Sequence, residues 1–229
     1  MKFQIELPTG SFTTCDAFVR TLQHPFGTIH ILDQLFERSF VLSLNNVLAS
    51  LPYIASEYDS DAGPRIRHLN CELPAKPLIT GNVEDAGLLS KLPKGKGAPH
   101  LSAVARITAQ ALDVLYPDYT QIELSRVHVN SIPHGDIQNT HEDGWPGVSL
   151  TALYFVNAGW QSTWQGELIL CDPLGESMYA IDPRPGRLVL FPGETPHRGG
   201  APSRVCFEHR LSLAHKFRAV RAGGPASAD

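Results

Sequence analysis

The sequence predicts a mainly β protein, a sandwich or barrel with helices placed ahead of it to brace one sheet. Three observations carry this. From Gln121 onward, short runs rich in Val, Ile, Leu, Phe and Tyr follow one another closely. Turn formers punctuate them, as in Pro-His-Gly-Asp, Asp-Gly-Trp-Pro-Gly, Pro-Arg-Pro-Gly and Phe-Pro-Gly-Glu. The 19 Gly and 18 Pro are spread through the chain, which favours many short strands over long helices.

Taken in order, residues 1–7 alternate weakly (Phe3, Ile5 and Leu7 on one side) and read as a short strand. Residues 32–51 place Leu35, Phe36, Phe40, Val41, Leu44, Val47, Leu48 and Leu51 at helical spacing, an amphipathic helix. Residues 56–64 and 91–99 read as polar loops, the second carrying Lys91, Lys94 and Lys96 on a solvated face. Between Leu101 and Leu115 a second helix is expected, ended by Tyr116-Pro117. Strands are expected at 122–132, 148–157, 167–171, 178–181, 187–191 and 204–217. The reading is thus one domain over 1–229, with a helical support region over 1–120, a β core over 121–217 and a disordered tail over 218–229.

Composition excludes several classes. The chain has 229 residues, 42% hydrophobic and 18% charged, enough for a single sizeable core. The formal charge of −4 leaves no broad basic footprint for nucleic acid. No apolar run reaches the roughly 18 residues of a membrane span, and Glu6, Pro8 and Gly10 interrupt any signal-peptide core. Cys15, Cys71, Cys171 and Cys206 lie far apart, which fits reduced thiols in a cytoplasmic protein. The oligomeric state is not legible.

Ten histidines are present, and arrangement singles out a few of them. His141-Glu142-Asp143 puts an imidazole and a carboxylate two residues apart at the end of an expected strand, so both project to one side. His197 follows much later, in Gly-Glu-Thr-Pro-His-Arg-Gly-Gly. Two His and one carboxylate on one face of a metal leave positions free for oxygen chemistry, the requirement of non-haem Fe(II) oxygenases. A competing His-x-Asp, His134-Gly135-Asp136, sits in a tight turn and is less well oriented for ligation. Arg210 and Ser212 share one face of an expected strand, where a guanidinium and a hydroxyl can grip a carboxylate. Trp145 could wall a pocket beside the ligands, whereas Trp160 and Trp164 read as packing residues. His128 and Asn130 fit pocket lining and a satisfied core equally well, and Arg198 could face substrate or solvent.

From Ser131 to Phe217 these pieces resemble the prolyl-4-hydroxylase-like branch of the Fe(II)/2-oxoglutarate dioxygenases. The matching elements are Gly135-Asp136 ahead of His141-x-Asp143, then Thr151-Ala-Leu-Tyr-Phe-Val-Asn157 and Gln165-Gly166-Glu167-Leu168. They continue with Gly186-Arg-Leu-Val-Leu-Phe191, His197 and Arg210-x-Ser212, in the family's order and spacing. The resemblance implies a double-stranded β-helix (a cupin-like jelly roll) with His141, Asp143 and His197 as iron ligands, and it leaves His134 outside the metal site. It implies Arg210 and Ser212 as the anchor of the 2-oxoglutarate C5 carboxylate, with Arg204 a weaker candidate because the distal His to anchor interval is long. An aromatic residue by the cosubstrate falls at Tyr154 or Phe155. Tyr154, the one able to donate a hydrogen bond, is taken as the contact.

The activity so implied is hydroxylation with Fe(II), 2-oxoglutarate and O2, supported by ascorbate. A free amino acid or small biosynthetic metabolite is the first expectation for substrate, because no appended recognition domain is visible, and a peptide or protein residue such as proline is the second. A cupin-like non-redox metal isomerase would have no need of Arg210-x-Ser212, and an inactive binding module would usually have lost a ligand. Nucleic-acid and membrane partners are not expected.

Overall fold

The structure is a computed structural model that describes residues 1–6, 12–58, 66–73, 98–143 and 149–221. In chain order it contains β1 (Lys2–Glu6), β2 (Phe12–Asp16), β3 (Phe18–His24), β4 (Gly27–Asp33), α1 (Arg38–Ala49), β5 (Ile54–Tyr58), β6 (Ile66–Leu73) and α2 (Ala98–Leu115). The β core follows with β7 (Tyr119–Ile132), β8 (Leu150–Phe155), β9 (Leu168–Cys171), β10 (Ser177–Ile181), β11 (Leu188–Pro192), β12 (His197–Gly199) and β13 (Arg210–Arg221). An eight-stranded sheet runs in the order β3-β4-β11-β8-β13-β7-β6-β5, and a three-stranded sheet in the order β10-β9-β12. All pairings are antiparallel, and β1 and β2 form a separate ribbon. This is the jelly-roll class expected.

Strands β8 and β11 are buried at every position, because the large sheet is covered on both faces. Successive residues of a strand point to opposite faces, so each strand feeds two cores. On one side Leu44 and Leu48 of α1 and Leu101, Val104 and Leu112 of α2 pack with Tyr154, Leu190 and Leu213. On the other, Leu153, Phe155, Val189 and Phe191 meet Leu168, Leu170 and Ile181 of the small sheet. Full burial of each such side chain contributes about 1.5–3 kcal/mol. The second, inner face carries the polar residues described below.

The described residues of the region 1–120, expected to be helical, hold six strands beside two helices. Strands β3 and β4 extend one edge of the large sheet and β5 and β6 the other. The helix expected over 32–51 begins only at Arg38, because Ile29–Leu32 is a fully buried strand stretch paired with β11. Asp33 then pairs with Arg187 through two hydrogen bonds of 2.8 Å, and Gln34 turns the chain at φ 65. The strand expected over 204–217 starts at Arg210 and runs to Arg221. Residues 203–206 instead make a turn closed by Cys206 N–H on the Ser203 carbonyl, 2.9 Å, with Phe207 95% exposed after it. The tail expected from 218 is thus strand as far as 221, and 222–229 lie outside the described residues, as do Lys91, Lys94, Lys96 and Trp145. Strand β12, too short to show periodicity, was not expected. All four cysteines are free thiols. Among the described residues no helix is long and apolar enough to cross a membrane.

Candidate active site

After β7 the chain turns at Pro133-His134-Gly135-Asp136, where Gly135 takes φ +82 and Asp136 N–H bonds the Pro133 carbonyl at 3.2 Å. His134 points its Nδ1 to the Pro202 carbonyl, 3.1 Å away, and joins no ligand cluster. His141 is not at the end of a strand, as expected, but in a loop laid along β12. Gln138 N–H bonds the Gly199 carbonyl, His141 and His197 exchange backbone hydrogen bonds of 3.0 and 2.9 Å, and Asp143 N–H bonds the Gly193 carbonyl at 2.8 Å. That bridge, not a continuous strand, brings the two imidazoles to 4.4 Å between ring centroids.

Among the described residues His141, Asp143 and His197 have ligating atoms within 4.8 Å of one another. His141 Nε2 lies 3.7 Å from Asp143 Oδ1, and His197 Nε2 lies 3.4 Å from Oδ2. Each Nδ1 faces a backbone carbonyl at 2.8 Å, Asn139 for His141 and Thr195 for His197. A carbonyl only accepts, so Nδ1 carries the hydrogen and a neutral ring turns its Nε2 lone pair to the centre. Burial pushes His197 down to about 3, against the pull of Asp143, so it stays neutral at pH 7. Burial would raise the Asp143 carboxyl, but the Lys216 ammonium and the two imidazoles outweigh it and hold it below the usual carboxylate range. Two imidazoles with Nε2 turned to the centre and one carboxylate suit a divalent metal such as Fe(II) and leave coordination positions open.

Two residues here escaped the sequence reading. Thr151 donates to Asp143 Oδ2 at 2.8 Å, and the Lys216 ammonium pairs with the same oxygen. Lys216 carried a signal, since it stands among buried neighbours near the end of an alternating strand. Thr151 carried none.

Further along β13, Arg210 is 1% exposed. Its Nε donates to the Gly166 carbonyl at 2.5 Å, its Nη1 to Ser212 Oγ at 3.4 Å, and its Cζ sits 5.0 Å over the Phe155 ring. Nη2 is buried with no hydrogen-bond partner among the described residues. Burial lowers Arg210 to about 10, which leaves it cationic at pH 7. A buried cation with an unused donor fits an incoming carboxylate. Gly166 has φ +79, and a Cβ there would lie 3.0 Å from Trp160 Cζ2 and 3.3 Å from Arg210 Cδ, so a glycine lets the guanidinium stem pass. Arg204 is exposed in the turn and does not reach this face.

Tyr154 does not contact this site. Phe155 and Thr151 face inward, so alternation turns Tyr154 to the helix side, where it packs edge-on to Phe36, ring centroids 6.1 Å apart. The aromatic residue beside the anchor is Phe155. His128 and Asn130 are buried on the inner face, paired in register with Ala214 and Ser212. Arg198 turns away from His197 and bonds Ser177 Oγ at 3.0 Å and Thr140 Oγ1 at 3.3 Å. Trp160 and Trp164 pack edge to face at 5.4 Å. A cavity of about 790 Å³, lined by Phe18, Arg20, Arg38, Trp160 and Arg184, contains none of the triad.

Fold and site together give a jelly roll with a His-Asp-His cluster suited to a divalent metal. Residues 124–218, the segment that carries the site, match the profile of the 2OG-Fe(II) oxygenase superfamily. By its description, that superfamily works with Fe(II) and 2-oxoglutarate. No curated protein sequence matches the chain significantly. Among solved structures it is similar to a Pseudomonas putida prolyl-4-hydroxylase (TM-score 0.57, 18% identity, 83% of this chain and 92% of that one). It is also similar to a Trichoplax adhaerens prolyl hydroxylase in complex with a hypoxia inducible factor peptide fragment (0.56, 20%, 83% and 83%). A third is SnoN, a non-haem α-ketoglutarate-dependent epimerase from nogalamycin biosynthesis (0.55, 18%, 87% and 80%).

Proposed function

We propose that the chain is a 2-oxoglutarate-dependent hydroxylase in which His141, Asp143 and His197 hold Fe(II), while Arg210 and Ser212 hold the distal carboxylate of the cosubstrate. The observation that carries this reading is the buried, unpartnered Nη2 of Arg210 on the same inner face as the triad. A metal isomerase of the same fold would leave that donor unused. When bound, Fe(II) with 2-oxoglutarate and O2 supplies the oxidising power, and 2-oxoglutarate leaves as succinate and CO2. The protein's part is placement. Carbonyls orient the imidazoles, Phe155 and Ser212 orient the guanidinium, and the apolar inner core (Phe191, Leu153, Val189) keeps water away.

For substrate, a free amino acid or small biosynthetic metabolite is the first choice. His128 and Asn130 are buried polar groups on the inner face, and His128 Nδ1 has no hydrogen-bond partner among the described residues, which suits a small polar molecule. A peptide residue such as proline is the second reading, favoured by the peptide bound to the Trichoplax neighbour. The test is succinate formation from 2-oxoglutarate with Fe(II), ascorbate and O2 over a panel of amino acids and prolyl peptides. Succinate stimulated by one class assigns the substrate, and no O2-dependent succinate under any condition overturns the reading.

A further inference from the structure

We infer that Lys216 is a built-in counter-cation of Asp143 that makes metal binding depend on the dianionic cosubstrate. This rests on the reading of His141, Asp143 and His197 as the metal triad.

The geometry begins with register. Lys216 of β13 lies directly opposite Thr151 of β8, so ammonium and hydroxyl reach the same side of the sheet and converge on Asp143 Oδ2. The Lys216 side chain is 7% exposed and that of Asp143 10%. Oδ1 has no hydrogen bond among the described residues and lies on the His141 side. Two donors on Oδ2 therefore fix the carboxylate and leave Oδ1 as its free ligating atom.

Charge then decides the consequence. Asp143 and Lys216 cancel, so the triad offers a cation its lone pairs but no net negative charge. A divalent ion adds two positive charges beside the buried Lys216, on a face that already holds the buried Arg210. Like charges taken out of water repel strongly, and no second carboxylate joins the ligand cluster among the described residues. 2-Oxoglutarate brings two negative charges, one to the metal end and one to Arg210. Metal and dianion thus bind with mutual assistance, and Lys216 sets its size. Couplings of this kind commonly reach roughly 5- to 150-fold in affinity.

The experiment measures Mn²⁺ binding to the metal-free full chain by the electron paramagnetic resonance signal of free Mn²⁺, with and without saturating 2-oxoglutarate. Wild type should bind Mn²⁺ weakly alone and at least about tenfold more tightly with the dianion. Lys216→Met should bind Mn²⁺ alone about tenfold more tightly than wild type, with its gain from 2-oxoglutarate reduced several-fold. Lys216→Arg should behave as wild type, and Lys216→Gln carries the same test should the methionine variant not fold. If both neutral variants bind Mn²⁺ no more tightly than wild type, or keep the full gain from 2-oxoglutarate, the inference is overturned. His197→Ala separates this from the reading beneath it: an undiminished Mn²⁺ site in that variant would sink the triad itself, whereas its loss beside an unchanged Lys216→Met sinks only the role of Lys216.

Discussion

His141 and His134 both open a His-x-Asp, yet only His141 turns a nitrogen toward the triad. His141→Ala should abolish 2-oxoglutarate turnover and weaken Mn²⁺ binding, whereas His134→Ala should leave metal binding intact. Calorimetric titration of both variants checks this, and metal loss in the His134 variant alone would refute the assignment. At the other end of the site, truncating Arg210 removes a buried charged donor, a loss of about 2–5 kcal/mol. Arg210→Ala should therefore raise the KM for 2-oxoglutarate by at least about 30-fold, while Arg204→Ala, in the exposed turn, should change it little. Steady-state kinetics over 2-oxoglutarate concentration compares the two. The proposed triad and anchor residues stand out in the sequence because their order and residue types are informative. Thr151 could not, since a threonine in a buried strand looks like any β-branched filler until Asp143 is seen beside it.

At the scale of elements, the strands from β7 onward were largely legible, because each is a short apolar run between strong turn signals. Three things were not. Strand β4 and the start of α1 overlap in hydrophobic spacing, and only pairing with β11 decides that Leu32 belongs to the strand. Strand β12 owes its existence to hydrogen bonds with β9 and the His141 loop. The facing of Tyr154 depends on which side of β8 meets the small sheet, and a continuous apolar run conceals that choice. The loop ahead of β9 gives a prediction of its own. Gly166 and Gly175 have similar φ, +79 and +83, but a Cβ at Gly175 meets nothing within 4 Å. Gly175→Ala should cost only the backbone term, about 1 kcal/mol. Gly166→Ala should cost more and also raise the KM for 2-oxoglutarate by displacing Arg210. Thermal melts and kinetics of the pair measure the difference, and equal KM values would show that Gly166 does not position the anchor.

For the whole molecule, buried neutral histidines govern acid stability. Burial pushes His215 down to about 3, as it does His197, and among the described residues neither ring nitrogen of His215 has a hydrogen-bond partner. The unfolded chain takes up a proton at each of these positions below about pH 6.5, while the folded chain cannot until about pH 3. More protons bound in the unfolded state means that stability falls as pH drops through that window, by up to about 1.4 kcal/mol per pH unit per histidine. His215→Leu should lower the slope of unfolding free energy between pH 6 and 4, and at pH 7 should be neutral or stabilising, because it replaces an unsatisfied polar group with an apolar one. Denaturant titrations at several pH values test both, and an unchanged slope would place the acid sensitivity elsewhere.

The side chain of His141 is 41% exposed, whereas that of His197 is 7% exposed. The triad therefore has a front and a back. Among the described residues, an ion held there would be sealed by protein behind His197 and open past His141, on the side of the loop of residues 133–143. Whatever lies along that rim acts as the gatekeeper of selectivity, and altered substrate preference is to be sought by changing residues of that loop, leaving the sheet that carries the chemistry untouched.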